Sequence, residues 1–138
     1  MPARDIYYET VRNALIKDGW NITHDPLYLF WGGTKVYIDL GATKFLAAQK
    51  GEKKIAIEIK SFLSASKIHD LEDALGHYFI YEEVLLRKDP ERVPYIAIPD
   101  EAYTRVFEES LGKLFLESKR VNLIIFDPVK EEISQWIP

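Results

Sequence analysis

Hydrophobic and polar residues alternate along residues 54–60, which is the pattern of a β-strand with one buried face. Its three isoleucines occupy alternate positions and should point to one side, so Glu58 and Lys60 should point to the other. A second alternation, over residues 36–40, predicts a strand that turns Asp39 away from its apolar face. If the two strands pair, one face of a sheet carries two carboxylates and one ammonium group at the strand ends.

Longer periodic segments predict helices on either side of these strands. Residues 5–18 are predicted to form a helix that ends at Gly19, and residues 64–87 a long helix that stops before Asp89. Asp100 is predicted to cap a third helix. An aromatic run over residues 28–31 is predicted to lead into the turn Gly32-Gly33. Further short strands are predicted at residues 20–23, 45–49, 93–98, 121–126 and 133–136. This order predicts a mixed α/β fold in which helices cover both faces of a central sheet.

Length and composition limit what such a fold can be. A chain of 138 residues of which 47% are hydrophobic predicts a single domain over residues 1–138 with one real core. The absence of cysteine excludes disulfides, thiolate zinc sites and cysteine nucleophiles, and fits a reducing compartment. Residues 1–5 show no apolar signal core, and no apolar run approaches the roughly 20 residues that span a bilayer. We therefore expect a soluble, cytoplasmic protein without a membrane partner.

Charge is distributed unevenly along the chain. The net charge of −4 argues against a protein that holds DNA by bulk electrostatics. Residues 44–67, however, contain six lysines and only two glutamates, so the basic stretch surrounds the strand that carries Glu58. Two interpretations stay open, a surface that binds phosphate and a lysine-rich strand edge that discourages aggregation.

Asp39, Glu58 and Lys60 are the candidate catalytic residues. Two carboxylates and a lysine at the ends of paired strands are typical of sites that place a divalent metal beside a scissile phosphate. The alternative is an exposed Glu and Lys pair on an amphipathic strand, which contributes about 0 to 1 kcal/mol to stability.

The order of elements around this set fits the restriction-endonuclease-like fold, whose signature is an Asp on one strand and a Glu-x-Lys sequence on the next. More of the chain resembles the XisH family, the excision-controlling factors of a DNA element in nitrogen-fixing, heterocyst-forming cyanobacteria. The resemblance rests on motifs spread from the first helix to the last residue: Lys17-Asp18-Gly19-Trp20, Thr23-His24-Asp25-Pro26-Leu27, Asp39-Leu40-Gly41-Ala42, residues 55–62, Asp70-Leu71-Glu72, Ala74-Leu75-Gly76, Phe126-Asp127-Pro128 and Trp136-Ile137-Pro138.

The resemblance implies an endonuclease-like domain that acts on DNA and assists excision beside a site-specific recombinase and a small companion protein, XisI. By analogy with the fold, Asp39, Glu58 and the carbonyl of Ile59 would bind Mg²⁺ or Mn²⁺. Lys60 would orient the attacking water or neutralise charge that develops on the phosphate. His77 and Tyr81, spaced i and i+4 on the long helix, are secondary candidates that match a Gln-x-x-x-Tyr element of some nucleases of this fold.

The sequence departs from the family pattern at three positions. Thr43 and Gln49 stand where acidic residues are usual, and His77 stands where glutamine usually follows Ala-Leu-Gly. Fewer carboxylates should weaken binding of a hard cation. A second function therefore stays open, a non-catalytic interaction module of a recombination complex that has kept the nuclease fold. The aromatic run at residues 28–31 also suggests a homodimer.

Three other polar residues have structural explanations. Glu9 could be the first-helix carboxylate of some nucleases, but its position predicts a solvated side chain opposite the apolar stripe. His24 and Asp25 resemble a ligand pair, yet a turn before Pro26 accounts for them.

Overall fold

The computed structural model describes residues 4–138 of the chain. Residues 1–3, part of the N-terminal stretch predicted to lack an apolar signal core, lie outside the described residues. Besides a 3₁₀ turn (Ala47–Gln49) and a π-helical turn (Tyr103–Glu108), the elements in chain order are α1 (Tyr8–Lys17), β1 (Asn21–His24), β2 (Leu27–Trp31), β3 (Thr34–Ile38), β4 (Leu40–Leu46), β5 (Gly51–Ile59), α2 (Lys67–Lys88), β6 (Arg92–Pro99), α3 (Asp100–Ala102), α4 (Lys113–Glu117), β7 (Leu123–Asp127) and β8 (Glu132–Ile137).

Six of the strands form one mixed sheet in the order β1, β4, β5, β6, β7, β8. The two central pairings, of β5 with β6 and of β6 with β7, are parallel, and the other three are antiparallel. The long helix α2 provides the crossover between the parallel strands β5 and β6, as such a connection requires. The predicted α/β class, a mixed sheet flanked by helices, is confirmed.

The sheet is buried on both faces. Val11 and Leu15 of α1 pack on one face, in a cluster that includes the isoleucines of β5. Leu71 and Leu75 of α2 pack on the other face, against apolar residues of β6 and β7. Because β5 is covered on both sides, a charged side chain near its end needs partners within the protein.

Strands β2 and β3 form a separate antiparallel hairpin. Its apolar side, which includes Leu29 and Ile38, packs against Tyr81 and Leu85 of α2 in a third buried cluster. The hairpin was not predicted as a pair of strands. Ala56 of β5 belongs to the same cluster, so the hairpin lies beside β5.

Two predicted strands were wrong in part. The segment predicted as one strand over residues 36–40 is broken at Asp39, where β3 ends and β4 begins. Ile38 packs in the hairpin cluster and Leu40 in the cluster under α1, so the chain bends between them to reach two separate cores. The strand predicted over residues 45–49 is the end of β4 followed by a 3₁₀ turn.

Helix ends also differ from the prediction. The long helix begins at Lys67, with Ser66 as its cap through a hydrogen bond from the His69 N–H. Asp100 is the first residue of α3 and not its cap, because Pro99 occupies that position. The Asp100 carboxylate instead accepts the N–H of Glu101. Within residues 4–138, no helix has the length and apolar character needed to cross a bilayer.

Candidate functional site

One cleft, with a volume of about 570 Å³, lies where the end of β5 meets α2 and the β2–β3 hairpin. The structure brings every predicted site residue to this cleft, in both the primary and the secondary set. Its lining includes Asp39, Glu58, Ile59, Lys60, His77 and Tyr81. The functional roles of these six residues stay predictions, but the fold brings them from distant parts of the sequence to the lining of one cleft.

The register of β4 and β5 explains how the two carboxylates meet. Leu40 lies opposite Ile57, so the preceding residue, Asp39, comes level with Glu58. The predicted alternation along β5 holds, because its isoleucines are buried under α1 while Glu58 lines the cleft. Asp39 reaches this position from the bend between two strands, not from within a strand as predicted.

The Asp39 carboxyl is held by the backbone and strongly perturbed. The Ile59 N–H donates to its Oδ2 at 2.8 Å. Burial raises the pKa of Asp39 well above its usual range, and the nearby negative charge of Glu58 raises that pKa further. The Asp39 carboxyl therefore lies among too little positive charge to ionise easily.

Replacing Asp39 with asparagine should stabilise the metal-free protein. The folded state binds the Asp39 proton more tightly than the unfolded state, so this aspartate costs nothing below the unfolded pKa near 4. Its cost to stability grows as pH rises from the unfolded pKa up to the raised folded pKa. The asparagine side chain carries no such charge, so we expect a gain of roughly 1 to 3 kcal/mol in unfolding free energy near pH 9 and little gain near pH 4.

Urea unfolding with a chelator present, at both pH values, measures this difference. Glu109→Gln, at an exposed acidic residue, is the matched control and should change stability little at either pH. An Asp39→Asn gain that was the same at both pH values would contradict the argument.

Glu58 is anchored from the long helix. It is only 8% exposed, and its Oε2 accepts a hydrogen bond from His77 Nδ1 at 2.9 Å and a longer one from the Tyr81 hydroxyl at 3.4 Å. The hydrogen bond to Glu58 raises the pKa of His77, and burial beside Glu58 raises the pKa of the Tyr81 hydroxyl. The imidazole and phenol rings stack with their centroids 5.9 Å apart. One turn of α2 thus fixes the Glu58 carboxylate from one side.

Lys60 follows the end of β5 and lines the cleft, where it is bound to an acidic partner. Its Nζ lies 2.6 Å from Asp73 Oδ2. The hydrogen bond from Lys60 lowers the pKa of Asp73. The other oxygen of Asp73 lies 3.6 Å from His77 Nε2, so Lys60, Asp73, His77 and Glu58 form one continuous polar chain.

Two carboxylates of the cleft were missed by sequence reasoning. Asp73 shares a helix face with His77 at i and i+4, and this spacing was a usable signal. Asp5 gave no signal, because only the folded chain brings it to the cleft. Its Oδ2 accepts the Ser61 N–H at 3.0 Å and its Oδ1 accepts the Tyr7 N–H at 2.9 Å, so Asp5 joins the start of α1 to the end of β5.

The lysine-rich stretch is largely engaged within the protein. Lys54 pairs with Asp89 at 2.6 Å and Lys60 with Asp73. Lys44 and Lys67 each donate to backbone carbonyl oxygens. Four of the six lysines therefore serve local structure, which weakens the interpretation of this stretch as a phosphate-binding surface.

The other polar candidates behave as their structural explanations predict. Glu9 is exposed on α1, away from the cleft lining. Asp25 forms ion pairs with Arg4 and Arg12, and the His24 ring contacts the Thr23 hydroxyl. Neither His24 nor Asp25 lines the cleft.

Comparison with known proteins gives one consistent family. A family model described as XisH protein matches residues 1–134. The chain is similar to the crystal structure of an XisH family protein from Nostoc punctiforme PCC 73102, with 38% identity and a TM-score of 0.86 over 97% of this chain and 100% of that one. It is also similar to the crystal structure of an fdxN element excision controlling factor protein from Anabaena variabilis, with 37% identity and a TM-score of 0.87 over 98% of this chain and 100% of that one. No curated protein matches the chain.

Proposed function

Because this chain belongs to the XisH family, we propose that it controls excision of a DNA element and that its cleft is a Mg²⁺-dependent site for phosphodiester hydrolysis. The meeting of Asp39 and Glu58 beside Lys60 carries the proposal. In this proposal the sheet and its helices are a restriction-endonuclease-like core. The natural partners are DNA, a site-specific recombinase and a companion protein like XisI.

The donor set fits a hard cation. Asp39 uses Oδ2, and Glu58 uses Oε2, to accept hydrogen bonds from protein groups. The two carboxyl groups also share a side-chain hydrogen bond, which contributes to the raised pKa of Asp39. Together with the carbonyl of Ile59, the carboxylate oxygens are the ligands that Mg²⁺ prefers. The raised pKa of Asp39 points the same way, since a cation would supply the missing positive charge.

The protein would supply only part of the coordination. In the described part of the chain, no group of three or more acidic or histidine side chains could hold a metal. Mg²⁺ commonly keeps several waters and binds through one or two carboxylates plus substrate phosphates. Two carboxylates and one carbonyl are therefore enough for a metal that keeps several waters in the free protein and exchanges some of them for phosphate oxygens when DNA binds.

The chemistry that a bound Mg²⁺ supplies is a lowered pKa for coordinated water and compensation of charge on the phosphate. Lys60 would contribute a second positive charge, and it must divide its hydrogen bonds between Asp73 and the phosphate. His77 and Tyr81 would act as positioning residues, because they fix the orientation of Glu58.

Titration with Mg²⁺ by calorimetry tests the metal site. We expect wild type to give binding heats and Asp39→Ala to give none, because that substitution removes one of only two carboxylate ligands. Asp127→Ala is a matched control, at an aspartate that caps a turn away from the cleft. Equal heats in wild type and Asp39→Ala, or no heat in either with Mg²⁺ or Mn²⁺, would remove the proposed site.

A second function is favoured by the ion pair between Lys60 and Asp73. At 2.6 Å this contact occupies the ammonium group that hydrolysis would need. With four of its six lysines engaged locally, the stretch of residues 44–67 offers little free positive charge to DNA. A non-catalytic module of a recombination complex fits these contacts. Such a module would bind Mg²⁺ or nothing at the cleft and would cut no DNA.

A further inference from the structure

The outer face of the β2–β3 hairpin carries exposed aromatic rings. Phe30 is 58% exposed and Tyr28 is 40% exposed, while Leu27 and Leu29 of the same strand are buried. Tyr37 lies directly opposite Tyr28, with the ring centroids 5.0 Å apart in an edge-to-face arrangement. Lys35 lies opposite Phe30. We call the surface formed by these four residues the aromatic face: Tyr28, Phe30, Lys35 and Tyr37.

Positive charge lies among these rings. The Lys35 ammonium group sits 4.8 Å from the centroid of Tyr28 and 5.0 Å from that of Tyr37. Trp31 is not part of this face, because strand alternation places it on the side of Leu27 and Leu29, near Arg87 and Lys88 of α2. Aromatic rings interleaved with cations are the combination that proteins use to stack unpaired bases while neutralising the phosphates between them.

The aromatic face continues into the cleft. Lys35 and Tyr37 belong to both, since they line the cleft with Asp39 and Glu58. A flexible strand whose phosphate lay at the carboxylates could therefore continue across Lys35 onto the rings of Tyr28 and Phe30. A rigid duplex could not present its bases to these rings, because paired bases are stacked on each other.

We propose that the aromatic face binds the unpaired bases of a single-stranded or branched DNA substrate next to the cleft. The choice of DNA as ligand rests on the proposed function. The inference adds the substrate class, because base stacking on Phe30 and Tyr28 selects an unpaired strand over a duplex.

Binding to fluorescein-labelled oligothymidylate and to a labelled duplex, measured by fluorescence anisotropy at low ionic strength with a chelator present, tests this surface. We expect wild type to prefer the single strand. Phe30→Ala should weaken oligothymidylate binding about tenfold, the scale of losing one stacked base, and should weaken duplex binding less. Phe30→Trp should restore the single-strand affinity, because it restores a stacking surface.

Leu114→Ala is the matched control, since Leu114 is also 58% exposed but lies on α4, away from the cleft and the aromatic face. Unchanged oligothymidylate binding in Phe30→Ala, or an equal loss in Leu114→Ala, would overturn the proposal. Light scattering tests the other occupant of this face. A dimer that Phe30→Ala converts to monomer, with oligothymidylate affinity unchanged, would make the face a contact between two copies of the chain and overturn the inference.

Failure of this inference can be separated from failure of the proposed function, because the binding assay needs neither metal nor cleavage. If oligothymidylate binding depends on Phe30 but wild type gives no Mg²⁺ heat, the proposal for the aromatic face stands and the proposal of a hydrolytic site fails. If Asp39→Ala loses Mg²⁺ binding but Phe30→Ala keeps the wild-type oligothymidylate affinity, the metal site stands and the proposal for the aromatic face fails.

Discussion

Replacement of Glu58 with glutamine is expected to reduce Mg²⁺-dependent DNA cleavage by about 100-fold or more, the scale of losing one group that stabilises charge in a transition state. Glutamine has nearly the same shape, and its amide oxygen can still accept the hydrogen bonds from His77 and Tyr81. The fold should therefore persist. What disappears is the negative charge that, with Asp39, would hold the cation.

The measurement compares cleavage of single-stranded, branched and duplex DNA by wild type and Glu58→Gln in the presence of Mg²⁺. Glu91→Gln, at an exposed glutamate just before β6, is the matched control and should cut like wild type. Cleavage that persisted at the wild-type rate in Glu58→Gln would come from a contaminant or from another site. No cleavage of any of the three DNAs by wild type would favour the non-catalytic module.

Truncation of Phe62 to alanine is expected to lower the free energy of unfolding by roughly 3 to 5 kcal/mol, the usual cost of removing a fully buried phenylalanine. Phe62 has no solvent exposure and packs edge-to-face on Phe107, with the ring centroids 6.1 Å apart. It holds this place although its φ of 55° lies in the left-handed region, which is unfavourable for a bulky residue. The packing of its ring must exceed that backbone cost, and alanine would keep the cost without the packing.

Leu63→Ala is a close control, because the neighbouring Leu63 is 53% exposed. Its loss should cost no more than about 0.5 kcal/mol. Urea denaturation of both variants at one pH measures the difference. Similar losses in the two variants would contradict the view that Phe62 anchors the segment between Lys60 and α2.

The strand β5 shows which part of the candidate site could be predicted from the sequence. Alternation alone placed Glu58 and Lys60 on one face, because strand geometry leaves no other choice once the isoleucines are buried. The same reasoning failed at Asp39. Residues 36–40 alternate without interruption, and only the existence of two separate cores, one for Ile38 and one for Leu40, makes the chain bend there.

The rest of the site depends on contacts that no local pattern encodes. Asp5 joins α1 to Ser61, 56 positions later in the sequence. Lys60 finds its partner on α2, and that pairing could be predicted only after the packing of the helix on the sheet was known. Strand alternation indicated Asp39, Glu58 and Lys60, and analogy with the fold added Ile59, His77 and Tyr81. The structure supplied the polar chain from Lys60 to Glu58.

The bend at Asp39 joins two units that otherwise belong to different layers, since β3 ends in the hairpin and β4 begins in the main sheet. A displacement of the hairpin would therefore pull directly on one of the two carboxylates. If an occupant of the aromatic face favoured one hairpin position, it would change the affinity of the carboxylates for a cation. Thermodynamic linkage requires the cation to change the affinity for that occupant by the same factor. In that case binding at the aromatic face and metal binding at the carboxylates would be thermodynamically coupled through the peptide segment around Asp39.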